Sequence, residues 1–208
     1  GTEKKKKARL VVRGDLQTEN VTKDDTYSPV VDFATVRLFH NLCIQHNLHT
    51  IQIDFNGAFL QGTLDEPLYL QIPPPYNKYP GMENKCIECS KSCYGDRRAS
   101  RIWWTKLTNA LTDPNGLAFT VSPFDPSLYI RKDCMIICYV DDIIIGVKDN
   151  MKHITTEITD ELTKQGFDFS REDSETIDMY LGINLDPVDS ETLKMSQPLL
   201  AQRIIDAL

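Results

Sequence analysis

The stretch CMIICYVDDIIIGV, Cys134 to Val147, places Asp141 and Asp142 side by side in a segment of which eleven of fourteen residues are apolar. Moving a carboxylate out of water costs on the order of several kcal/mol unless a cation or hydrogen bonds compensate, and adjacent carboxylates repel each other. Asp-Asp is also a serviceable turn dipeptide, so an exposed hairpin tip is one reading of the pair. A third acid supplies another. Asp54 ends the alternating run HTIQID and is followed by FNGAFLQG, where Gly57 and Gly62 allow close approach of backbone. If that run lies beside the Asp141–Asp142 hairpin, three carboxylates meet at one sheet edge. Oxygen ligands without His or Cys favour Mg2+ or Mn2+ over zinc. Two such ions about 3.5–4 Å apart can clamp the attacking and leaving oxygens of an in-line phosphoryl displacement. The chemistry implied is nucleotidyl transfer or nuclease cleavage.

The elements that must position these acids read as mixed α and β. KARLVVRG (7–14) reads as a short strand flanked by charge. TVRLFHNLCIQHN (35–47) puts Val36, Phe39 and Cys43 on one helical face with Leu38 and Leu42 beside it, and Asp32 or Thr35 is placed to cap it. HTIQIDF (49–55) alternates as a strand with Ile51 and Ile53 on one side. LYLQI (68–72) is a second strand, ended by Pro73, Pro74 and Pro75 and followed by a loop over 76–84. ASRIWWTKLTNALTD (99–113) reads as a helix with Ile102 or Trp103, Leu107, Ala110 and Leu111 facing inward, stopped by Pro114 and Gly116. Strands follow at about 117–121, 127–131, 134–140 and 143–148. MKHITTEITDELTKQG (151–166) sets Met151, Ile154, Ile158 and Leu162 at helical spacing, with Gly166 as its C-cap. Segments 179–186 and 192–196 suggest a late hairpin, and QPLLAQRIIDAL begins a final helix. There is no internal repeat and no low-complexity linker.

With 208 residues, 41% hydrophobic and 9% aromatic, the composition is that of a globular chain and not of a disordered one. No apolar run approaches the roughly 18–20 residues that span a bilayer, so no membrane partner is expected. The N-terminal lysine run has no apolar h-region after it, which makes intracellular residence the expectation, and the absent initiator Met suggests a piece of a longer polypeptide. Cys86, Cys89 and Cys93 have C-x2-C-x3-C spacing, but no fourth Cys or His follows nearby, so buried small apolar side chains are expected there in preference to zinc. Net charge is −7, which argues against coating nucleic acid by bulk charge. Residues 1–13 nevertheless carry six Lys/Arg against one Glu, and residues 91–106 carry five against one Asp. Such local basic surfaces suit a groove that tracks phosphates. Ordinary solvated charged faces account for them equally well.

Taken in order, KARLVVRGDLQ (7–17), TYSPVVDFATVRL (26–38), DFNGAFLQG (54–62), LYLQIPPPY (68–76), FDPSLYI (124–130), YVDD (139–142), YLGI (180–183) and KMSQPLLAQRII (194–205) resemble the reverse transcriptase domain of copia-type LTR retrotransposon Pol polyproteins. The resemblance implies an α+β right-hand polymerase over 1–208. Its fingers come first, followed by a palm whose antiparallel sheet packs on helices, then the start of the thumb or connection from about residue 180. It implies RNA-directed DNA polymerase activity, with Asp54, Asp141 and Asp142 holding two Mg2+ or Mn2+ ions. One ion activates the primer 3′-OH for attack on the dNTP α-phosphate, and the other supports the triphosphate and departing pyrophosphate. Lys7 and Arg9 match positions that meet the triphosphate. Phe59 matches an aromatic that excludes a 2′-OH, and Tyr139 would pack near the primer terminus. Partners implied are dNTPs, an RNA or DNA template with annealed primer, and the integrase and RNase H modules of the polyprotein. The expected location is a cytoplasmic particle or the nucleus.

One segment departs from the family pattern. Where the family carries a run close to S-L-Y-G-L-K-Q-A-P-R-A-W, residues 92–103 read S-C-Y-G-D-R-R-A-S-R-I-W. Tyr94, Gly95, Ala99, Arg101 and Trp103 match, whereas Asp96, Arg97, Arg98 and Ser100 do not. By resemblance this segment shapes the nucleotide pocket (Tyr94, Gly95, Arg97) and the primer–template contact (Arg98, Arg101). Arg97 keeps a charge with different geometry, Asp96 puts an acid where an apolar residue packs, and Ser100 removes a proline that presets the helix start. The alternative to an active polymerase is therefore an inactive or repurposed nucleic-acid-binding remnant. A metal-dependent nuclease would share the acids but accounts for neither Phe59 nor the order of segments.

Overall fold

The helix that starts at Phe33 begins where a side chain replaces a missing backbone partner. In the computed structural model, which describes residues 8–17, 21–173, 177–189 and 191–207, Asp32 is extended and its carboxylate accepts the Ala34 amide at 2.7 Å. In chain order the elements are α1 (Lys23–Thr26), α2 (Phe33–Gln45), β1 (Leu48–Phe55), β2 (Thr63–Gln71), β3 (Cys86–Lys91) and α3 (Ala99–Thr112). Then come β4 (Thr120–Val121), β5 (Leu128–Ile130), β6 (Cys134–Tyr139), β7 (Asp142–Lys148), α4 (His153–Lys164) and β8 (Phe169–Asp173). The last are β9 (Met179–Tyr180), β10 (Ile183–Pro187), β11 (Leu193–Ser196) and α5 (Pro198–Asp206). The expected class, α+β with an antiparallel sheet packed on helices, is the one found.

The chain forms two units, Gly1–Ser28 with Gly57–Asn109, and Pro29–Asn56 with Ala110–Leu208. The second is built on a six-stranded sheet in the order β4-β5-β6-β7-β1-β8, antiparallel at every pairing. Alternate residues of β1 and β7 go to opposite faces, and both faces are covered. On one side Val36, Phe39 and Cys43 of α2 form a core with Ile137, Ile144, Tyr180, Ile183 and Leu185. On the other, Ile51, Ile53, Phe55, Ile143, Ile145 and Val147 are buried, and the Phe55 ring meets those of Phe167 and Phe169. A strand covered on both faces reads as a continuous apolar run, which accounts for the composition of Cys134 to Val147. Gly146 marks the tightest approach of α2 to the sheet, since a Cβ there would lie 3.0 Å from Cys43 Sγ and 3.3 Å from Phe39 Cζ. Strands β9, β10 and β11 form a separate meander that closes the α2 side.

The first unit carries the β2–β3 hairpin and most of α3. Its small core gathers Val12, Leu64 and Leu68, with Leu70, Cys89, Cys93 and Ile102 packed against them. Here the expectations need correction. The segment 7–14 is not a strand over its described part but makes a single parallel bridge, Val11 to Tyr94. Cys86 is exposed and Cys89 half-buried on β3, a strand absent from the sequence reading, and Cys93, two residues past its end, is also only half-buried. β8 is the other unforeseen strand.

Helix α2 gives a direct test of which face carries the fold. Phe39 is 1% exposed and its neighbour Leu38 is 52% exposed. Phe39→Ala is expected to lower the unfolding free energy by about 3–5 kcal/mol, and Leu38→Ala to change it by no more than about 0.5 kcal/mol. Urea unfolding midpoints of the two variants check this.

Candidate active site

Strand register decides where the acids stand. β1 pairs with β7 so that Asp54 lies directly opposite Asp142, and β6 pairs with β7 so that Tyr139 is opposite Asp142. Val140 and Asp141 form the two-residue loop between them. Val140 has φ of 55°, a left-handed conformation that a β-branched residue rarely adopts. The loop is fastened to the neighbouring strand by the Phe55 amide, which donates to the Asp141 carbonyl at 2.7 Å. On the far side of β1, Asp54 is opposite Ser170 of β8.

Gln52, Asp54, Asp141, Asp142 and Ser170 line one open cavity of about 330 Å3. Asp54 and Asp141 are exposed and Asp142 is half-buried. The Gln52 amide donates to Asp142 Oδ1 at 2.8 Å. Beneath the loop, the buried Tyr180 hydroxyl approaches the Asp142 carbonyl at 3.5 Å. Ionisation of Tyr180 is pushed well up by burial and, next, by the charge of Asp142. The Cys138 thiol is pushed up for the same two reasons in the same order. The lining of the cavity offers carboxylate, hydroxyl and amide oxygens, the donor type that hard divalent cations take. Among the described residues, no three His, Cys, Asp or Glu side chains stand close enough together to grip an ion as they are arranged.

The remaining residues singled out in the sequence belong to the first unit, except Tyr139, the 39% exposed end of β6. Lys7 lies outside the described residues. Arg9 is exposed, with its guanidinium 5.2 Å from the centroid of the Tyr94 ring. The edge of Phe59 meets the same ring, at 5.7 Å between centroids and 74° between planes. Arg9, Tyr94 and Phe59 are therefore one stacked group. Gly95 has φ of 85°, and a Cβ on it would lie 2.1 Å from the Val12 carbonyl oxygen. The Val12 amide donates to the Tyr94 carbonyl at 2.7 Å, so backbone rests directly on backbone there.

The departing residues rebuild the helix start. Asp96 is 6% exposed, and its Oδ1 accepts the Arg98 amide at 3.1 Å and the Gln17 side-chain amide at 3.2 Å. That Asx-type turn leads into α3 at Ala99 without the proline. Arg98 Nε is 3.9 Å from the same Oδ1. The Arg97 amide is held by Gln17 Oε1 at 3.0 Å and its side chain is exposed. Arg101 stacks on Trp104, 4.6 Å from the ring centroid.

Two residues escaped the sequence reading. Gln52 looked like an ordinary outward residue of an alternating strand. Asp125, inside FDPSLYI, accepts the Ser127 amide at 2.8 Å and the Asp32 amide at 3.1 Å, tying the start of β5 to the cap of α2. An acid followed by proline at the head of a strand was the available signal.

A profile of the family described as reverse transcriptase (RNA-dependent DNA polymerase) matches residues 2–208. The chain is 32% identical over 182 residues to the retrovirus-related Pol polyprotein from transposon RE1 of Arabidopsis thaliana, covering 85% of this chain and 12% of that protein. It is 29% identical over 206 residues to the retrovirus-related Pol polyprotein from transposon TNT 1-94 of Nicotiana tabacum, covering 96% of this chain and 15% of that one. With the transposon Ty1-ER2 Gag-Pol polyprotein of Saccharomyces cerevisiae it shares 32% identity over 159 residues, 72% of this chain and 8% of that one. The chain therefore spans less than a sixth of the length of these relatives. Among the described residues no helix is long and apolar enough to cross a membrane.

The backbone contact at Gly95 predicts a local defect. Gly95→Ala adds both a left-handed alanine and a clash with Val12, at a cost of about 1–3 kcal/mol. Hydrogen exchange of the Val12 amide is expected to accelerate roughly ten- to a hundredfold, with β1 and β7 amides unchanged.

Proposed function

Because the chain belongs to the reverse transcriptase (RNA-dependent DNA polymerase) family, we propose that it transfers nucleotides from dNTPs to the 3′-OH of a primer annealed to an RNA or DNA template. The observation that supports this most is the register of Asp54 against Asp142, with Asp141 in the adjoining loop and all three on one cavity. Asp54, Asp141 and Asp142 would hold two Mg2+ or Mn2+ ions. When bound, such ions neutralise charge on the triphosphate and make the primer hydroxyl a better nucleophile. Asp54 and Asp142 sit on paired strands and Asp141 on the loop between β6 and β7, so the backbone is set by the ladder while the carboxylates turn inward to take the ions.

The other assignments rest on the family likeness. Arg9 and Arg97 give fixed positive charge to the triphosphate, and Tyr94 and Gly95 shape the nucleotide pocket. The Phe59 ring lies flat under the sugar and leaves no room for a 2′-oxygen. Its contact with Tyr94 holds the ring. Tyr139 supports the primer terminus, and Arg98 and Arg101 meet the primer–template. The 208 residues act as fingers and palm with the start of a thumb or connection from about residue 180. Other Pol modules, integrase and RNase H among them, are the proposed covalent neighbours, and a cytoplasmic particle or the nucleus is the proposed place of action.

One observation favours a second reading, an inactive nucleic-acid-binding remnant. Asp96 replaces an apolar residue of the family pattern and is buried with its Oδ2 lacking a hydrogen-bond partner, a costly feature in a segment meant to meet nucleotides. The two readings separate on a primed homopolymer template. Incorporation of dNTP by the full-length protein with Mg2+ or Mn2+ supports the polymerase. Salt-sensitive binding of primer–template without incorporation by the folded protein supports the remnant.

Asp54→Asn, Asp141→Asn and Asp142→Asn are each expected to reduce incorporation on the order of 10^3-fold. Thermal stability should hold or rise, since each change removes one of three neighbouring like charges. Phe59→Ala is expected to raise ribonucleotide use relative to deoxyribonucleotide use by at least about tenfold. Competing rNTP and dNTP extension measures it, and an unchanged ratio removes Phe59 from the sugar pocket.

A further inference from the structure

Gln52 sits two residues before Asp54 on β1, on the same face of the sheet. Its neighbours Ile51 and Ile53 are fully buried on the other face. Directly across the ladder from Gln52 is Ile144, 1% exposed and part of the core that α2 covers. An apolar side chain would pack at such a position, yet the residue is an amide. Its reach explains the choice. Gln52 stands two ladder positions back from the Asp54–Asp142 pair, diagonal to Asp142, and a long side chain spans that diagonal. Its Nε2 donates to Asp142 Oδ1 at 2.8 Å, and Gln52 lines the same cavity as the three acids.

We infer that Gln52 is a positioning residue that fixes the Asp142 carboxylate for divalent-cation binding, an inference that rests on the polymerase reading above. An amide suits the task because it is a neutral donor. Lysine or arginine in its place would pair with Asp142 and offset the charge the cation needs. Glutamate, ionised, could not donate and would add a fourth like charge. Asparagine is one methylene short of the same oxygen. Hydrogen-bonded partners of this kind orient ligating carboxylates, and their loss typically costs about 10–100-fold in metal affinity or activity.

The test is made in the full-length protein with Gln52→Met, which keeps length and packing and removes the donor, and with Gln52→Leu as a second variant. Circular dichroism and thermal midpoints matching the unsubstituted protein establish that each is folded. Binding of Mn2+ alone, without nucleic acid or dNTP, is measured by the loss of its free-ion electron paramagnetic resonance signal. Both variants are expected to bind Mn2+ about 10–100-fold more weakly. In primer extension at fixed low Mn2+, kcat should fall while KM for dNTP stays nearly constant, and raised Mn2+ should restore kcat. A purely packing role would not give a defect that the ion repairs. Mn2+ affinity equal to that of the unsubstituted protein overturns the inference, as does a loss of extension that no Mn2+ restores. If the unsubstituted protein takes up no Mn2+, or Asp54→Asn leaves uptake intact, the cation-site reading itself fails and carries this inference with it.

Discussion

The pairing of β1 with β7 is the constraint on which the second unit depends. A strand repeats every two residues, so a slip of one would send Asp54 to the face now held by Ile51 and Ile53. It would also bring isoleucines to the cavity. What opposes the slip is the alternation of β1. Ile51, Ile53 and Phe55 are 0–1% exposed, each such burial is worth roughly 1.5–3 kcal/mol, and a slip would exchange them with Thr50, Gln52 and Asp54. The acids contribute nothing favourable to their own alignment, because like charges at a ladder pair repel. Their juxtaposition is a locally unfavourable arrangement, held by packing on both faces of the sheet and by a loop whose first residue, Val140, is itself strained.

The first unit solves its positioning problem differently. Its core is small, and the segment 8–14 is held less by side chains than by backbone laid on backbone at Gly14 and Gly95. A Cβ at Gly14 would lie 2.2 Å from the Gly95 carbonyl oxygen, and one at Gly95 would lie 2.1 Å from that of Val12. Arg9 is thereby carried to Tyr94 and stacked on it. The same economy shows at the start of α3. Ser100 gives no preset φ, but the Asp96 carboxylate captures the Arg98 amide and the Gln17 side chain. The departures from the family pattern at 96 and 100 thus compensate each other in forming the helix, whatever they do to nucleotide binding.

Much of this arrangement is legible in the sequence where one local signal suffices. Helix α2 shows its cap as Asp32 or Thr35, of which Asp32 serves, and its buried stripe in Val36, Phe39 and Cys43. α4 shows Ile154, Ile158 and Leu162, ended by the left-handed Gly166. β6 and β7 show as one apolar run broken by two acids. The failures share a cause. FSRED in β8 has no apolar alternation after Phe169 and becomes a strand only because β1 offers it an edge. CIECSK in β3 reads as a cysteine motif, and its strand character comes from β2. KARLVVRG has strand propensity, but within its described residues it finds one bridge and no ladder. Pairing partners distant in sequence decide each of these cases, and propensity yields to them.

The candidate site was legible in its acids and hidden in their support. An acid in an apolar run is conspicuous, whereas a glutamine alternating with isoleucines looks like any solvent-facing residue. The distinction matters electrostatically. In the turn between β5 and β6, the Arg131 guanidinium is bound by Asp133 and Glu157, both at 2.8 Å, and lies over the Phe119 ring. There a guanidinium offsets much of the carboxylate charge directly. Around Asp142 the charge is instead felt by its neighbours, for Tyr180 and Cys138 both resist ionisation partly on its account. A site meant to draw in a cation must keep its field while still fixing its ligands, and a neutral amide such as Gln52 meets both demands at once.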